Sequence, residues 1–141
     1  DEPPLLELLN RCDLGEWTPD RLRRSLETVL PGGLFVIADS TGRLVATARA
    51  EHHCTPPHRP PAAELGWVGV DPAHRGRRLG QAVSAAVVTK LLDAGYPTIY
   101  LQTQDGRLAA VKTYLRMGFE PLLHSDDMPA RWQAVRKRIG L

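Results

Sequence analysis

The chain has 141 residues, of which 43% are hydrophobic and 24% charged, and this globular composition excludes an intrinsically disordered chain. Its 18 basic and 16 acidic residues nearly cancel, so neither nucleic acid nor a membrane surface is an expected partner on bulk charge. No segment approaches the roughly 20 apolar residues of a membrane span. Two cysteines favour a reducing, cytoplasmic setting, and the length fits one domain, residues 1–141.

The first elements are predicted to be two short helices. Leucines recur at helical spacing over residues 5–9 and, together with a valine, over residues 22–30. Thr18 before Pro19 gives the second helix an N-cap followed by a proline in its first turn. We expect the run Pro31-Gly32-Gly33 to end this helix.

The next segments are predicted to be strands. Two apolar runs, residues 34–38 and 44–50, flank a turn cluster and indicate a β-hairpin. The proline-rich residues 51–63 are expected to form a loop. The apolar run over residues 64–70 is compatible with a buried strand.

A long amphipathic helix is predicted to follow. Apolar residues recur at every fourth position from Leu79 onward, and Gly95 is expected to end the helix. Ala82, Ala86 and Leu92 are expected to widen the buried stripe. The stripe itself consists of Leu79, Val83, Val87 and Leu91.

The last third again combines strands and helices. The pattern of residues 98–104 predicts a strand. Asp105 is expected to cap the next helix, and Gly118 is expected to end that helix. Residues 119–124 predict a short strand or extended segment, and a final helix is expected to open near Pro129. This order of elements indicates an α/β or α+β protein with a mixed sheet. The final helix is expected to present Trp132, Val135 and Ile139 on one side.

The stretch HRGRRLGQ, residues 74–81, lies between a predicted strand and a predicted helix. A helix N-terminus offers unpaired N–H groups and partial positive charge, so it suits an anion. Its glycines permit close approach of the main chain, and its arginines add charged donors that suit phosphate oxygens. The pattern therefore indicates a pyrophosphate site, although it matches neither a P-loop nor a dinucleotide-binding motif. The alternative is a solvated basic turn that caps a helix.

This stretch resembles motif A of the GCN5-related N-acetyltransferases (GNAT), which carries Gln/Arg-x-x-Gly-x-Gly/Ala and cradles the pyrophosphate of acetyl-CoA. Arg78 departs from the family pattern, which has glycine there. An arginine at this position can still offer its backbone N–H if its φ angle is negative. The segment AAVKTYLRMGF resembles the family's second signature, and the likeness covers roughly residues 33–123.

The resemblance implies a GNAT-like fold: a mixed, mostly antiparallel sheet, flanked by helices and splayed at the family's fourth strand, which is residues 64–70 here. It also implies acetyl-CoA as cosubstrate. Gly69 interrupts the apolar run, which is consistent with a close approach of the ligand to the backbone. The implied cofactor-binding residues are Val68, Gly69, Val70, Arg75, Gly76, Arg77, Arg78, Leu79, Gly80 and Gln81.

Two residues are expected to carry the acid–base chemistry. Tyr114 matches the family tyrosine that is often assigned as the general acid, and Arg107 stands where many members carry a cofactor-binding asparagine. Glu64 begins the fourth strand, and counting by two places it on the same face as Val68 and Val70. That position makes Glu64 the candidate general base. Its alternatives are His52 and His53 at the end of the preceding strand.

A metal site is not expected. His52, His53, Cys54 and His58 are all ligand types, but adjacent residues of an extended chain point apart and no partner cluster follows. Neither Cys12 nor Cys54 is placed as a covalent nucleophile, so direct attack of the acceptor on the thioester is the expected path.

The sequence therefore predicts an acetyl-CoA-dependent N-acetyltransferase that acts on an amine. The acceptor, a small molecule or a peptide, cannot be read from the sequence, and neither can the oligomeric state, so a homodimer remains open. One alternative is a non-catalytic acyl-CoA-binding or sensor domain. Another is a nucleic-acid-binding module that uses the arginine turn, although balanced charge and few aromatic residues argue against it.

Overall fold

A computed structural model describes residues 2–52 and 62–141 of the chain. Its contacts divide the chain into two compact units, Asp1–Leu101 and Gln102–Leu141. The helices are α1 (Glu2–Arg11), α2 (Pro19–Leu26), α3 (Leu79–Asp93), α4 (Leu108–Arg116) and α5 (Met128–Ile139). The strands are β1 (Val29–Ala38), β2 (Leu44–His52), β3 (Ala62–Val70) and β4 (Thr98–Tyr100).

The two N-terminal helices form as predicted, but the second is shorter. The Thr18 side chain caps α2 by accepting a hydrogen bond from the backbone N–H of Arg21 at 3.2 Å. The prediction that Pro31-Gly32-Gly33 ends this helix is wrong, because α2 ends at Leu26 and β1 begins at Val29. Pairing with β2 overrides the helical spacing there, and an irregularity in that pairing accommodates the proline and glycines within β1.

The four strands form one sheet in the order β1-β2-β3-β4. β1 and β2 are the predicted hairpin, β3 pairs with β2 antiparallel, and β4 adds to β3 in parallel. Helix α3 packs against one face of β2, and α1 and α2 lie on the other face. The α3 face of β2 consists of Ala46, Ala48 and Ala50, all fully buried.

The long helix α3 fits its prediction with a narrower buried stripe. Val83, Val87 and Leu91 are buried, and Gly95 follows the helix in the left-handed region with φ of 88°. Leu92, expected to widen the stripe, has 58% of its surface exposed. In the described residues, no helix combines the length and apolar character that a membrane span requires.

The second unit consists of α4 and α5 around a small core of Val111, Val135 and Ile139, against which Trp132 packs. The prediction that Asp105 caps α4 is wrong. Its carboxylate instead accepts hydrogen bonds at 2.9 and 3.0 Å from the guanidinium of Arg131.

Two strand predictions need correction as well. The predicted strand over 98–104 is limited to Thr98–Tyr100, because its pairing with β3 ends there. Residues 119–124 form no strand. Gly118 ends α4 with φ of 93°, as expected.

Candidate active site

Strand β3 contains a bulge at Trp67. Thr47 of β2 pairs with Gly69 and Arg49 pairs with Gly66, so three steps along β3 oppose two along β2. Trp67 has φ of 52°, in the left-handed region that side chains rarely adopt. A bulge of this kind inserts one extra residue and reverses the alternation of side chains beyond it.

The bulge overturns the prediction that Glu64 shares a face with Val68 and Val70. Glu64 and Gly69 pair with Glu51 and Thr47, which lie on the α1–α2 face of β2. Val70 pairs with Ala46 on the opposite face, and both valine side chains approach Gly80 of α3. Glu64 therefore lies on one side of the sheet and the two valines on the other.

The parallel ladder between β3 and β4 is short. It pairs Ala62, Ala63 and Glu64 with Thr98, Ile99 and Tyr100. From Leu65 to Val70, β3 has no paired residue on β4. The two strands therefore part after Glu64, as the expected splay requires. The segment 68–70, which the sequence predicts to bind the cofactor, lies beyond this point.

The turn after β3 is anchored by Asp71. One carboxylate oxygen accepts a hydrogen bond from the backbone N–H of Ala73 at 2.9 Å, and the other accepts from Nε of Arg11 at 2.8 Å. Arg43 and His74 approach the same carboxylate at 3.9 and 3.7 Å. The Ala73 N–H, followed by Arg11, holds the pKa of Asp71 below its usual value. Helix α1 and the β-hairpin turn thus fix the start of the arginine turn.

The arginine turn itself presents charge to solvent. Arg75, Arg77 and Arg78 are all exposed, and Arg75 reaches Asp13 at 3.5 Å. Gly76 has φ of 79°, which favours glycine. The condition that Arg78 keeps a negative φ is not met, because its φ is 58° and it forms the left-handed N-cap of α3.

The first turn of α3 follows immediately. Leu79, Gly80 and Gln81 occupy positions where helix N–H groups have no partner within the helix. A Cβ on Gly76 would meet nothing within 4 Å, so the turn has open space beside its main chain. Exposed arginines, open space and a helix N-terminus fit the chemistry of a diphosphate.

Gly69 makes a close contact, although its partner differs from the one expected. A Cβ there would lie 2.9 Å from Cβ of Cys12 and 3.0 Å from Cδ1 of Leu14. The missing side chain therefore makes room for the end of α1 on this face of the sheet. Burial is the main cause that raises the pKa of the Cys12 thiol to about 11, so this thiol is not a ready nucleophile.

Tyr114 lies in the second unit and is buried. Its ring forms an edge-on contact with Phe119, with centroids 6.1 Å apart. Burial raises the pKa of its phenol, and the positive charge of Arg107 opposes this more weakly. Tyr114 therefore holds its proton at neutral pH, which a general acid requires.

The histidine candidates are only partly described. His52 ends β2 and pairs with Ala63, so it points to the opposite side of the sheet from Glu64, toward the ring of Tyr96 at 5.4 Å. His53, Cys54 and His58 lie outside the described residues. Within the described ranges, no group of three His, Cys, Asp or Glu is placed to hold a metal ion.

Three polar residues near Glu64 were not identified from the sequence: Arg49, Glu51 and Tyr100. Arg49 and Glu51 lie two residues apart on β2 among alanines, and this alternation of charged and small residues is the sequence signal for a polar face. Tyr100 gives no such signal, because its proximity to Glu64 arises from parallel pairing of distant segments.

Comparisons with known proteins agree with this geometry. The model of the acetyltransferase (GNAT) family matches residues 3–119, so the chain belongs to the GNAT family of N-acetyltransferases, whose enzymes use acetyl-CoA. Assignment to this family does not depend on a metal ion.

The sequence is also similar to that of individual acetyltransferases. The chain is 34% identical over 132 residues to a mycothiol acetyltransferase of Mycobacterium sp. (strain MCS), with 85% of this chain covered. It spans only 42% of that relative's length.

Solved structures show the same fold. The ribosomal-protein-S18-alanine N-acetyltransferase from Escherichia coli superposes with a TM-score of 0.72 at 22% identity, over 87% of this chain and 74% of that one. AAC(6')-Iy in complex with a bisubstrate analogue of CoA superposes with a TM-score of 0.68 at 21% identity, over 86% of each chain. The α+β fold expected from the sequence is confirmed.

Proposed function

We propose that this chain transfers the acetyl group of acetyl-CoA to an amine by direct attack on the thioester. The observation that carries the proposal is the parting of β3 and β4 after Glu64, followed by the arginine turn at the N-terminus of α3. The splay separates β3 from β4 beside the segment that we assign to the pantetheine arm, and the turn offers charge for the diphosphate. We further propose that both compact units belong to one catalytic domain, residues 1–141, since the family match spans the two.

The cofactor-binding roles divide between side chains and backbone. We assign Arg75, Arg77 and Arg78 to the phosphate oxygens, because all three are exposed at the turn. The N–H groups at the start of α3, from Leu79 to Gln81, complete this site together with Gly76. The backbone of Val68, Gly69 and Val70 takes the pantetheine arm, as the family resemblance implies.

The acid–base roles fall to Glu64 and Tyr114. Glu64 removes the proton of the attacking amine, and its position at the last β3–β4 pair supports this role. Tyr114 protonates the departing thiolate, since its buried phenol retains its proton at neutral pH. The raised pKa of the Cys12 thiol favours direct transfer over an acyl-cysteine intermediate.

The acceptor is proposed to be the amine of a small molecule or a peptide. Because the chain resembles mycothiol acetyltransferases, the substrate of those enzymes is the first acceptor to test. A cytoplasmic location belongs to the same proposal, since a reducing medium keeps Cys12 as the free thiol seen here.

The test measures release of free CoA thiol from acetyl-CoA over a panel of amines, with binding measured separately by calorimetry. Amine-dependent release that Glu64→Gln strongly lowers is the expected result. Cofactor binding without turnover on any amine would favour the sensor alternative and overturn the catalytic proposal.

A further inference from the structure

Two tryptophan rings and two arginines form a stack on the α1–α2 face of the sheet. The rings of Trp17 and Trp67 meet edge to face, with their centroids 4.9 Å apart. The guanidinium of Arg49 lies 4.1 Å from the ring centroid of Trp67. The guanidinium of Arg21 lies 4.2 Å from the ring centroid of Trp17. Because a guanidinium is attracted to the face of an aromatic ring, Trp67 is held by a cation of β2 as well as by the ring that precedes α2.

Arg49 is itself held in place by its neighbours. Its guanidinium donates a hydrogen bond to the carbonyl of Ser25 in α2 at 3.3 Å, and it forms an ion pair with Glu51. Only 13% of its side chain is exposed, so water competes little for these contacts. A Cβ on Gly66 would lie 3.0 Å from Nε of Arg49, so the glycine of β3 leaves the space that this side chain fills. The position of the cation over Trp67 is therefore fixed by three elements.

Trp67 is the residue whose conformation makes the bulge in β3. Its φ of 52° is unfavourable for a side chain, and such an angle persists only where the surroundings fix it. Regular alternation from Gly66 would place Val68 and Val70 on the α1–α2 face. The bulge instead turns both valines toward Gly80 of α3. The conformation of Trp67 therefore decides on which face the side chains of Val68 and Val70 lie.

We propose that Arg49 is a positioning residue for the acyl-pantetheine part of acetyl-CoA. Its guanidinium holds Trp67 in the left-handed conformation, and it thereby holds the segment 68–70 in the orientation that binds this part of the cofactor. The proposal rests on the proposed function, in which that segment takes the pantetheine arm. The arginine turn is anchored separately, by the bonds of Asp71 to Arg11 and to the next backbone N–H groups. Loss of the stack should therefore weaken the hold on the pantetheine arm and spare the hold on the diphosphate.

The first test compares two ligands in the full chain that carries Arg49→Lys. Lysine keeps a positive charge beside Glu51, but it lacks the planar guanidinium that stacks on the ring. Calorimetry is expected to show that the affinity for acetyl-CoA falls about fivefold or more, as for loss of a largely desolvated cation–π contact. The affinity for adenosine 3′-phosphate 5′-diphosphate, which carries the diphosphate without the pantetheine arm, is expected to change less than about twofold.

Arg21→Lys is the matched control, because it makes the same substitution at the cation–π contact of Trp17. Both of its affinities are expected to follow the wild type. An equal loss for both ligands in Arg49→Lys would show a general effect on the fold and would overturn the positioning role. Unchanged affinities for both ligands in Arg49→Lys would overturn it as well.

Substitution of the ring tests the same contact from the other side. Trp67→Leu removes the aromatic face and leaves the ion pair of Arg49 with Glu51 in place, whereas Trp67→Phe keeps a face for the guanidinium. We expect the leucine variant to lose affinity for acetyl-CoA and the phenylalanine variant to keep most of it. Equal losses in the two variants would mean that the guanidinium does not act through the ring.

A further readout needs neither cofactor nor acceptor. The carbon-13 chemical shifts of the Trp67 backbone in the free protein report its φ angle, and they are expected to move toward extended values in Arg49→Lys but not in Arg21→Lys. Unchanged shifts in Arg49→Lys overturn the positioning role, whether or not the chain transfers acetyl groups. Changed shifts in a chain whose wild type binds acetyl-CoA no more tightly than the nucleotide support the hold of Arg49 on the bulge. In that case it is the proposed pantetheine site that fails.

Discussion

A Cβ atom on Gly80 would lie 3.5 Å from Cγ2 of Val70, which is an ordinary van der Waals contact, so the first turn of α3 has room for a methyl group. The added methyl group would face β3. We expect a longer side chain to extend from this turn into the proposed diphosphate site.

We therefore expect Gly80→Ala to keep most of the affinity for acetyl-CoA and Gly80→Glu to lose about tenfold or more. A carboxylate near a helix N-terminus stabilises the helix but repels a diphosphate, so the loss is one of binding and not of folding. Calorimetry with acetyl-CoA measures the affinities, and thermal unfolding checks the fold. Equal affinities for both variants would contradict the diphosphate site.

Arg78 combines an unfavourable backbone angle with a charge at the proposed site. An L side chain in the left-handed region costs roughly 1–2 kcal/mol, which glycine avoids. Glycine also raises the conformational entropy of the unfolded chain, which offsets part of the gain in stability. Arg78→Gly is therefore expected to raise the free energy of unfolding by up to about 1 kcal/mol while it weakens acetyl-CoA binding.

The neighbouring arginine provides the control for this substitution. Arg77 lacks the positive φ of Arg78, so Arg77→Gly removes the same charge without relieving strain. Denaturant unfolding is expected to show a loss of stability for Arg77→Gly and a gain for Arg78→Gly. A loss of stability in both variants would mean that the Arg78 side chain contributes more to the fold than its angle costs.

Gly69 is expected to tolerate no side chain, because Cβ of Cys12 and Cδ1 of Leu14 occupy the space. Gly69→Ala should lower the free energy of unfolding by about 1–3 kcal/mol, the usual cost of an overpacked core. Gly106→Ala is the control, since a Cβ there meets nothing within 4 Å. Chemical denaturation that finds both variants equally stable would show that α1 moves away at little cost.

The sequence predicts those features that depend on local pattern. Helix α3 follows from four-residue spacing, and the turn before it follows from glycine and arginine next to a strand; both lie where expected. The Thr18 cap is equally local, and it also forms as predicted.

Features that depend on pairing between distant segments cannot be predicted from the sequence pattern. The bulge at Trp67 reverses the side-chain alternation of β3, and nothing in the run LGWVGV marks a tryptophan with a positive φ. Asp105 has the residue type of a helix cap, but its partner Arg131 lies 26 residues away. Tyr100 meets Glu64 only because β4 joins the sheet in parallel.

Tyr114→Phe tests the second catalytic assignment. Removal of the phenol proton donor should lower kcat by about 10²-fold, within the usual range for a general acid. Acetyl-CoA affinity should change little, because the ring still packs edge-on against Phe119. Steady-state kinetics with an active amine, beside calorimetry, separates the two effects. Full activity in the variant would remove Tyr114 from the acid role.

Asp71 predicts a pH-dependent contribution to stability. Because the Ala73 N–H and Arg11 lower its pKa in the folded protein, folding favours the ionised form. The stabilisation is therefore complete above the usual aspartate pKa of about 4 and is lost as pH falls through the lower folded value.

Asp71→Asn should accordingly cost stability at neutral pH and progressively less below about pH 4. Unfolding in denaturant at a series of pH values measures the difference between wild type and variant. A difference that stays constant with pH would mean that Asp71 acts only as a neutral acceptor for the Ala73 N–H, a role that asparagine can share. In that case, the ion pair of Asp71 with Arg11 would add nothing to the anchoring of the arginine turn, and α1 would hold that turn through packing alone.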